Sequence, residues 1–324
     1  MVGPRAIGRL LLALAALEVV GITMSAAIPP KSAPSPAEAI GSLEALPPGL
    51  RRAFTPLGDF APLPEPGPGD WLAHHPEPGQ TFDAFLRSAR HRPDARRQRL
   101  YLLPLGDFVP GHSPALARLR EFTAAFFGLE AEVLPALDPA ASALPGRRNP
   151  YDGHAQLDAH AILGLLERRL PADGFALLGL TMVDLYPDPA WNFVFGLASP
   201  AERVGVFSFA RYDPAFYGEA RSQDTGKLLL QRSCKVLAHE TGHLFGLEHC
   251  VFYRCLMNGS NHLAESDARP LHLCPVCLRK LQESVGFDPT ARERHLLGFA
   301  RRVGVDDEAR WLERRLEHLG SAPD

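Results

Sequence analysis

Cysteine is scarce in this 324-residue chain: there are five, all at or beyond position 234. A disulfide framework spread over the whole fold is therefore excluded. Positive charge is not in excess either. Lys and Arg number 34 against 37 Asp and Glu, a formal net charge of −3, so there is no broad basic field to attract phosphate backbones. Nucleic acid is not an expected partner. No internal repeat is visible, which removes solenoids and propellers. A long uninterrupted apolar run is also missing. The N-terminus carries Arg5 and Arg9, apolar stretches over 10–17 and 19–27 broken by Glu18, and small residues Ser25, Ala26 and Ala27 before Pro29. Its charge, apolar stretch and small-residue exit fit a secretory signal or weak anchor over 1–28, whereas Glu18 and the short run fit an ordinary amphipathic helix. Membrane association is expected only if this segment is retained, and localisation stays open between cytoplasm and export.

What the chain does have is 46% hydrophobic and 22% charged residues, enough for one sizeable core. Residues 29–68 are rich in proline with few apolar positions at a regular period, and are expected to be an arm with little structure. Thr81 is placed to cap a short helix bearing Phe82, Phe85 and Leu86 on one side. The basic run 92–99 reads as a solvated approach to the next strand. Strands are expected at 99–105, 132–134, 175–183, 192–198 and 203–210. Helices are expected to start at Ser113-Pro114 and to cover 155–170, 227–244, 290–302 and 306–319. Trp311, Leu312, Leu316 and Leu319 form a docking stripe on the last of these. The order is α+β, with a partly parallel sheet.

The chemistry concentrates in the helix expected at 227–244. His239 and His243 lie four apart, slightly more than one turn, so both project from one face and can share an ion. Glu240 lies one step around from the first histidine, beside a metal rather than on it, where a carboxylate can act as general base. Gly246 stands where the helix must stop; lacking Cβ it can turn left-handed and bring His249 back toward the ion. Three protein ligands leave a fourth position open, the arrangement of a catalytic zinc. A histidine pair with a glutamate is weak evidence alone; with Gly246 and His249 at these offsets it is specific.

Cys250, Cys255, Cys274 and Cys277 follow directly. Two pairs separated by a loop suit a tetrahedral all-sulfur zinc site; one or two disulfides, or a redox pair at Cys274 and Cys277, are the alternatives. Cys234 reads as a buried small hydrophobe.

The run His239-Glu240-Thr241-Gly242-His243-Leu244-Phe245-Gly246-Leu247-Glu248-His249-Cys250, with Cys255-Leu256-Met257 and Cys274 to Cys277, resembles the archaemetzincins. So do Leu177-Leu178-Gly179-Leu180-Thr181, Asp184-Leu185-Tyr186 and Asn192-Phe193-Val194-Phe195-Gly196 upstream, and Met257-Asn258-Gly259-Ser260-Asn261-His262, similar to a Met-turn. Gly69-Asp70-Trp71-Leu72 and Gln80-Thr81-Phe82 resemble the N-terminal extension of the animal-type branch. The similarity covers about 69–290, and the gap from Met257 to Cys274 is a residue shorter than the family pattern.

This resemblance implies a metzincin-like zincin catalytic domain over 69–290, followed by C-terminal helices over 291–324. A twisted mixed sheet would lie over the active-site helix, Met257 would form an apolar floor under the zinc, and the cysteine loop would be pinned by zinc. It implies two zinc ions per chain, one catalytic and one structural, and hydrolysis of peptide bonds in a peptide or protein substrate lying antiparallel to the edge strand at 192–198. It leans toward removal of N-terminal residues from short peptides. A catalytically idle zinc- and peptide-binding module and a non-peptidase zinc hydrolase are the rival readings; the intact Glu240 speaks against the first.

Overall fold

The computed structural model describes residues 33–56 and 58–320, so the candidate signal at 1–28 lies outside the described residues. Among the described residues, no helix is long and apolar enough to cross a membrane. The described residues open with four short helices, α1 (Pro36–Ile40), α2 (Pro48–Phe54), α3 (Trp71–His74) and α4 (Phe82–Arg87). Strand β1 (Arg99–Leu105), helix α5 (Leu116–Phe127) and strand β2 (Glu130–Val133) follow. A small hairpin, β3 (Gly146–Arg148) and β4 (Ala155–Asp158), then leads into α6 (Ala159–Glu167). Strands β5 (Gly174–Thr181), β6 (Asp184–Tyr186), β7 (Gly196–Ser199) and β8 (Val204–Ser208) precede the long helix α7 (Thr225–Leu244). The chain closes with α8 (Leu263–Ala268), α9 (Pro275–Val285), α10 (Pro289–Val303) and α11 (Asp306–Gly320).

The main sheet has the order β2-β1-β5-β8-β7, and β3-β4-β6 form a smaller one. β1, β2, β5 and β8 run parallel, while β7 closes one edge antiparallel to β8 in the register Gly196↔Phe207 to Ser199↔Val204. Every residue of β5 is buried, as a central strand covered on both faces requires. Alternation divides the sheet's side chains between two cores. Leu100, Leu102, Ala176, Leu178 and Leu180 join α5 and α7 on one face, whereas Tyr101, Leu103, Leu177, Val204 and Val206 join α6 on the other. The result is a mixed α/β fold in which α7 lies under β7 and β8.

Several local expectations are corrected. The segment 29–68, expected to carry little structure, contains α1 and α2, with Ala39, Ile40, Ala53, Phe54 and Phe60 buried in the main core. A capping box between Ser35 and Glu38, with Pro36 in the first turn, starts α1 where hydrophobic periodicity gives no signal. The helix expected over 155–170 begins only at Ala159, because 155–158 pair with β3 and β6 and Asp158 caps the helix by accepting from the Ala161 N–H. Ser113 does not cap α5; its hydroxyl donates to Val109 O instead. The strand expected at 192–198 forms only from Gly196, since Arg147, Asn149 and Gln156 all donate to Asn192 O and hold that stretch against the smaller sheet.

Candidate metal centre

On α7 the two histidines face the same way, with Nε2 atoms 3.2 Å apart. The helix ends at Leu244. Gly246, at φ 83, then reverses the chain, its N–H bonding to His243 O at 2.9 Å and that of Leu247 to Gly242 O at 3.2 Å. This brings the His249 ring within 5.2 Å of the His239 ring and 5.1 Å of the His243 ring, centroid to centroid. One nitrogen from each histidine lies within 4.8 Å of the others.

The second nitrogen of each ring is engaged elsewhere. His239 Nδ1 meets Leu256 O at 3.0 Å, His243 Nδ1 donates to Leu247 O at 2.6 Å, and His249 Nδ1 to Glu77 Oε1 at 2.8 Å. The carbonyl on His243 and the carboxylate on His249 leave Nε2 as the lone-pair nitrogen of those two rings; His239 Nδ1 lies 3.0 Å from the donor Arg269 Nη1 as well as from Leu256 O, so its neighbours there do not alone set its tautomer. Burial, reinforced by the Arg269 charge, holds His239 well below the usual histidine range, and burial lowers His243 to about 4. Both rings are therefore neutral at pH 7. Arg269 itself is buried behind His239, donating to Asn258 O at 2.8 Å and Ser266 Oγ at 2.6 Å.

Glu240 lines the same cleft, of about 220 Å³, whose walls include Trp71, Trp191, Phe195 and Tyr212. Burial pushes its carboxyl pKa up, opposed by His249 and Arg269. The edge strand comes down on it: a Cβ at Gly196 would lie 3.5 Å from Glu240 Cγ. Met257 is fully buried, and a Cβ at Gly242 would lie 2.7 Å from its Sδ, so the thioether packs against the helical turn that carries both histidines.

Next to this site, one sulfur each from Cys250, Cys255, Cys274 and Cys277 lies within 4.8 Å of the others, and all are free thiols. Cys250 and Cys274 Sγ are 3.5 Å apart, far beyond a disulfide bond of about 2.05 Å. Hydrogen bonds from the other three cysteines hold the Cys250 thiol well below its usual range. Backbone N–H groups of Met257 and Cys274 point at Cys255 Sγ, at 3.5 and 3.3 Å. Asn258 ties the loop together, donating to Cys250 O and Tyr253 O and accepting from the Cys255 N–H. Cys234 is buried in the core on α7, where burial raises its thiol pKa.

Both clusters fit zinc by the chemistry of their donors. Nitrogens about 2.05 Å from a shared tetrahedral ion stand about 3.3 Å from each other, and sulfurs at about 2.3 Å stand about 3.8 Å apart. The observed 3.2 Å and 3.5 Å separations lie close to those values.

The sequence motifs account for the histidines, Glu240, Met257 and the four cysteines, and the structure brings all of them together. They did not point to Glu77, Tyr212, Arg269 or Trp191. Tyr212 lies in a short 3-10 turn (Ala210–Tyr212) and stacks on Phe195 with ring centroids 5.3 Å apart. None of the four has a local signature: tertiary structure brings Tyr212, Arg269 and Trp191 to the cleft wall and Glu77 behind the His249 ring. Trp71 stands in the family-like Gly69 to Leu72 run, which was the one available signal.

A family model described as Peptidase family M54 matches residues 167–283. Archaemetzincin-2 of Macaca fascicularis is 38% identical over 80% of this chain and 79% of its own length. The human Archaemetzincin-2 is 37% identical over the same shares. Among solved structures, an archaemetzincin from Methanopyrus kandleri is 32% identical, with a TM-score of 0.45, over 59% of this chain and 97% of its own. The class these matches define is a zinc-dependent metallopeptidase, acting on peptide or protein substrates. Within that class, the chain belongs to the archaemetzincin family.

Proposed function

We propose that His239, His243 and His249 hold the catalytic zinc, that Glu240 is the general base, and that Cys250, Cys255, Cys274 and Cys277 hold a second, structural zinc. The observation that carries this is the convergence of three imidazoles whose Nδ1 atoms are all engaged behind the rings. Zinc bound there supplies a Lewis acid that polarises a carbonyl and lowers the pKa of water to about 7. Glu240 accepts the proton of the attacking water at its carboxylate and later delivers it to the leaving amine.

The substrate backbone would extend β7, whose pairing partner β8 lies on one side only. Met257 forms the apolar floor of a metzincin-like site beneath a twisted sheet, and the cysteine cluster pins the loop that delivers His249. The catalytic unit is 69–290, with the helices on either side as its buttress. Removal of N-terminal residues from short peptides is the mode of action favoured by the family resemblance.

Glu240→Gln assayed beside wild type, on peptides with free and blocked N-termini, tests this reading. Two zincs per chain in both proteins by elemental analysis, with turnover reduced roughly 10²–10⁴-fold in the variant, is the expected result. Equal turnover would remove Glu240 from the chemistry. No cleavage by either zinc-loaded protein would leave an idle binding module, and blocked peptides cut as fast as free ones would rule out aminopeptidase action.

A further inference from the structure

The three histidines are not held alike. His239 and His243 each set Nδ1 against a backbone carbonyl no more than 17 residues away, whereas His249 sets it against a carboxylate 172 residues upstream. The same oxygen, Glu77 Oε1, also accepts the Trp71 indole N–H at 2.5 Å. That indole lies flat on the turn after Met257: a Cβ at Gly259 would sit 2.3 Å from Trp71 Cδ1. The Trp71 backbone N–H bonds to both Glu265 oxygens, at 2.9 and 3.1 Å.

Gln80 then clamps the reversal before His249, donating to Gly246 O at 3.1 Å and accepting from the Glu248 N–H at 3.4 Å, while Lys280 Nζ donates to Gln80 O at 2.5 Å. Further up the segment, Ala61 O accepts from the Arg254 N–H at 2.8 Å and Leu63 N–H donates to Phe252 O at 3.3 Å. One stretch, 61–80, therefore touches the loop from Gly246 to Gly259 along its length. It lies outside residues 167–283, the part of the chain matched by the family model.

Taking the three histidines as zinc ligands, as proposed above, we infer that Glu77 is the positioning residue of His249 and that segment 61–80 is a working part of the metal centre. His249 follows the helix on a loop, so no helical frame fixes its ring. A carboxylate on Nδ1 sets the tautomer, fixes the ring's rotation and makes Nε2 a stronger donor to the metal. Trp71 in turn fixes Glu77, because its N–H and that of His249 meet on a single oxygen.

The test is zinc affinity, measured by chelator competition on the full chain for wild type, Glu77→Ala, Glu77→Gln and His249→Ala. The visible spectrum of the cobalt-substituted proteins reports ligand geometry independently of turnover. Glu77→Ala is expected to weaken one of the two sites about 10–100-fold and to change the cobalt spectrum. Glu77→Gln, whose amide oxygen still accepts both N–H groups, is expected to lose less. Glu77→Ala leaves two N–H groups unpaired and should lower the zinc-free melting temperature too, whereas Glu77→Gln keeps both paired and should melt with zinc-free wild type, so its zinc affinity and cobalt spectrum read positioning apart from folding. If Glu77→Ala does not fold, Trp71→Phe deletes the N–H that fixes the carboxylate, together with one ring of the indole, while keeping an aromatic ring in place, and a smaller loss of affinity is expected. Zinc affinity within twofold of wild type for Glu77→Ala, or for Trp71→Phe in its place, alongside a weakened His249→Ala overturns the inference but leaves the ligand set standing. If His249→Ala also binds zinc as wild type does, the ligand set itself fails.

Discussion

Gly246 sits at φ 83 between the second and third histidines, where a Cβ would lie 3.0 Å from Arg90 Cβ. Gly246→Ala therefore meets a left-handed backbone penalty of about 1–2 kcal/mol and a contact that forces Arg90 to give way. A lower urea midpoint with an unchanged slope is expected, together with weaker zinc retention, because relief of the strain rotates the loop bearing His249. An unchanged midpoint would show that the turn has freedom to spare. This glycine was legible before any coordinates, since the three histidines, Glu240 and the reversal all lie between positions 239 and 249, where helical geometry relates them directly. Glu77 was not legible. A single glutamate among prolines carries no local sign that folding will carry it to a histidine 172 residues away.

At the scale of the element, α7 carries the active-site face and, one turn earlier, Lys235, which is 4% exposed. Its ammonium donates to Asp267 O at 2.6 Å, yet burial lowers its pKa to about 8, with Asp267 partly opposing and Arg269 adding to the shift. Between about pH 8 and the ordinary lysine value of 10.5 the unfolded chain binds this proton more tightly than the fold does, so stability rises with pH across that window. The contribution is lost as pH falls through 8, a difference of about 3 kcal/mol at full extent. Melting temperatures from pH 7.5 to 10 should climb more steeply for wild type than for Lys235→Met; parallel curves would contradict the assignment. Helix α7 itself was legible to within two residues, because it is long and amphipathic. Short β4 was not: its residues continue the apolar stripe of α6, and only pairing with β3 and β6 makes them a strand.

For the whole molecule, the question is how much chain the metal centre needs. The motifs and the family resemblance both direct attention to 69–290, but the main core runs from Ala39 to Leu319. Ile40, Phe54, Phe60, Leu296, Phe299, Leu312 and Leu319, all outside 69–290, are each no more than 5% exposed. Arg315, fully buried on α11, reaches across to Asp59 at 2.7 Å and to Ala53 O, locking the two ends of the chain together. A fully buried aliphatic or aromatic side chain contributes about 1.5–3 kcal/mol, so those seven together rival the roughly 5–15 kcal/mol that separates a folded protein from its unfolded state. A fragment limited to 69–290 keeps every proposed metal ligand, yet it exposes the apolar faces of α5 and α9 that the terminal helices cover. It is expected to be insoluble, or to lack a cooperative melting transition even with zinc present, while the full chain melts cooperatively. If the fragment instead melted within a few degrees of the full chain, the terminal helices would be accessories, and the zinc sites with the central sheet would hold the catalytic unit together unaided.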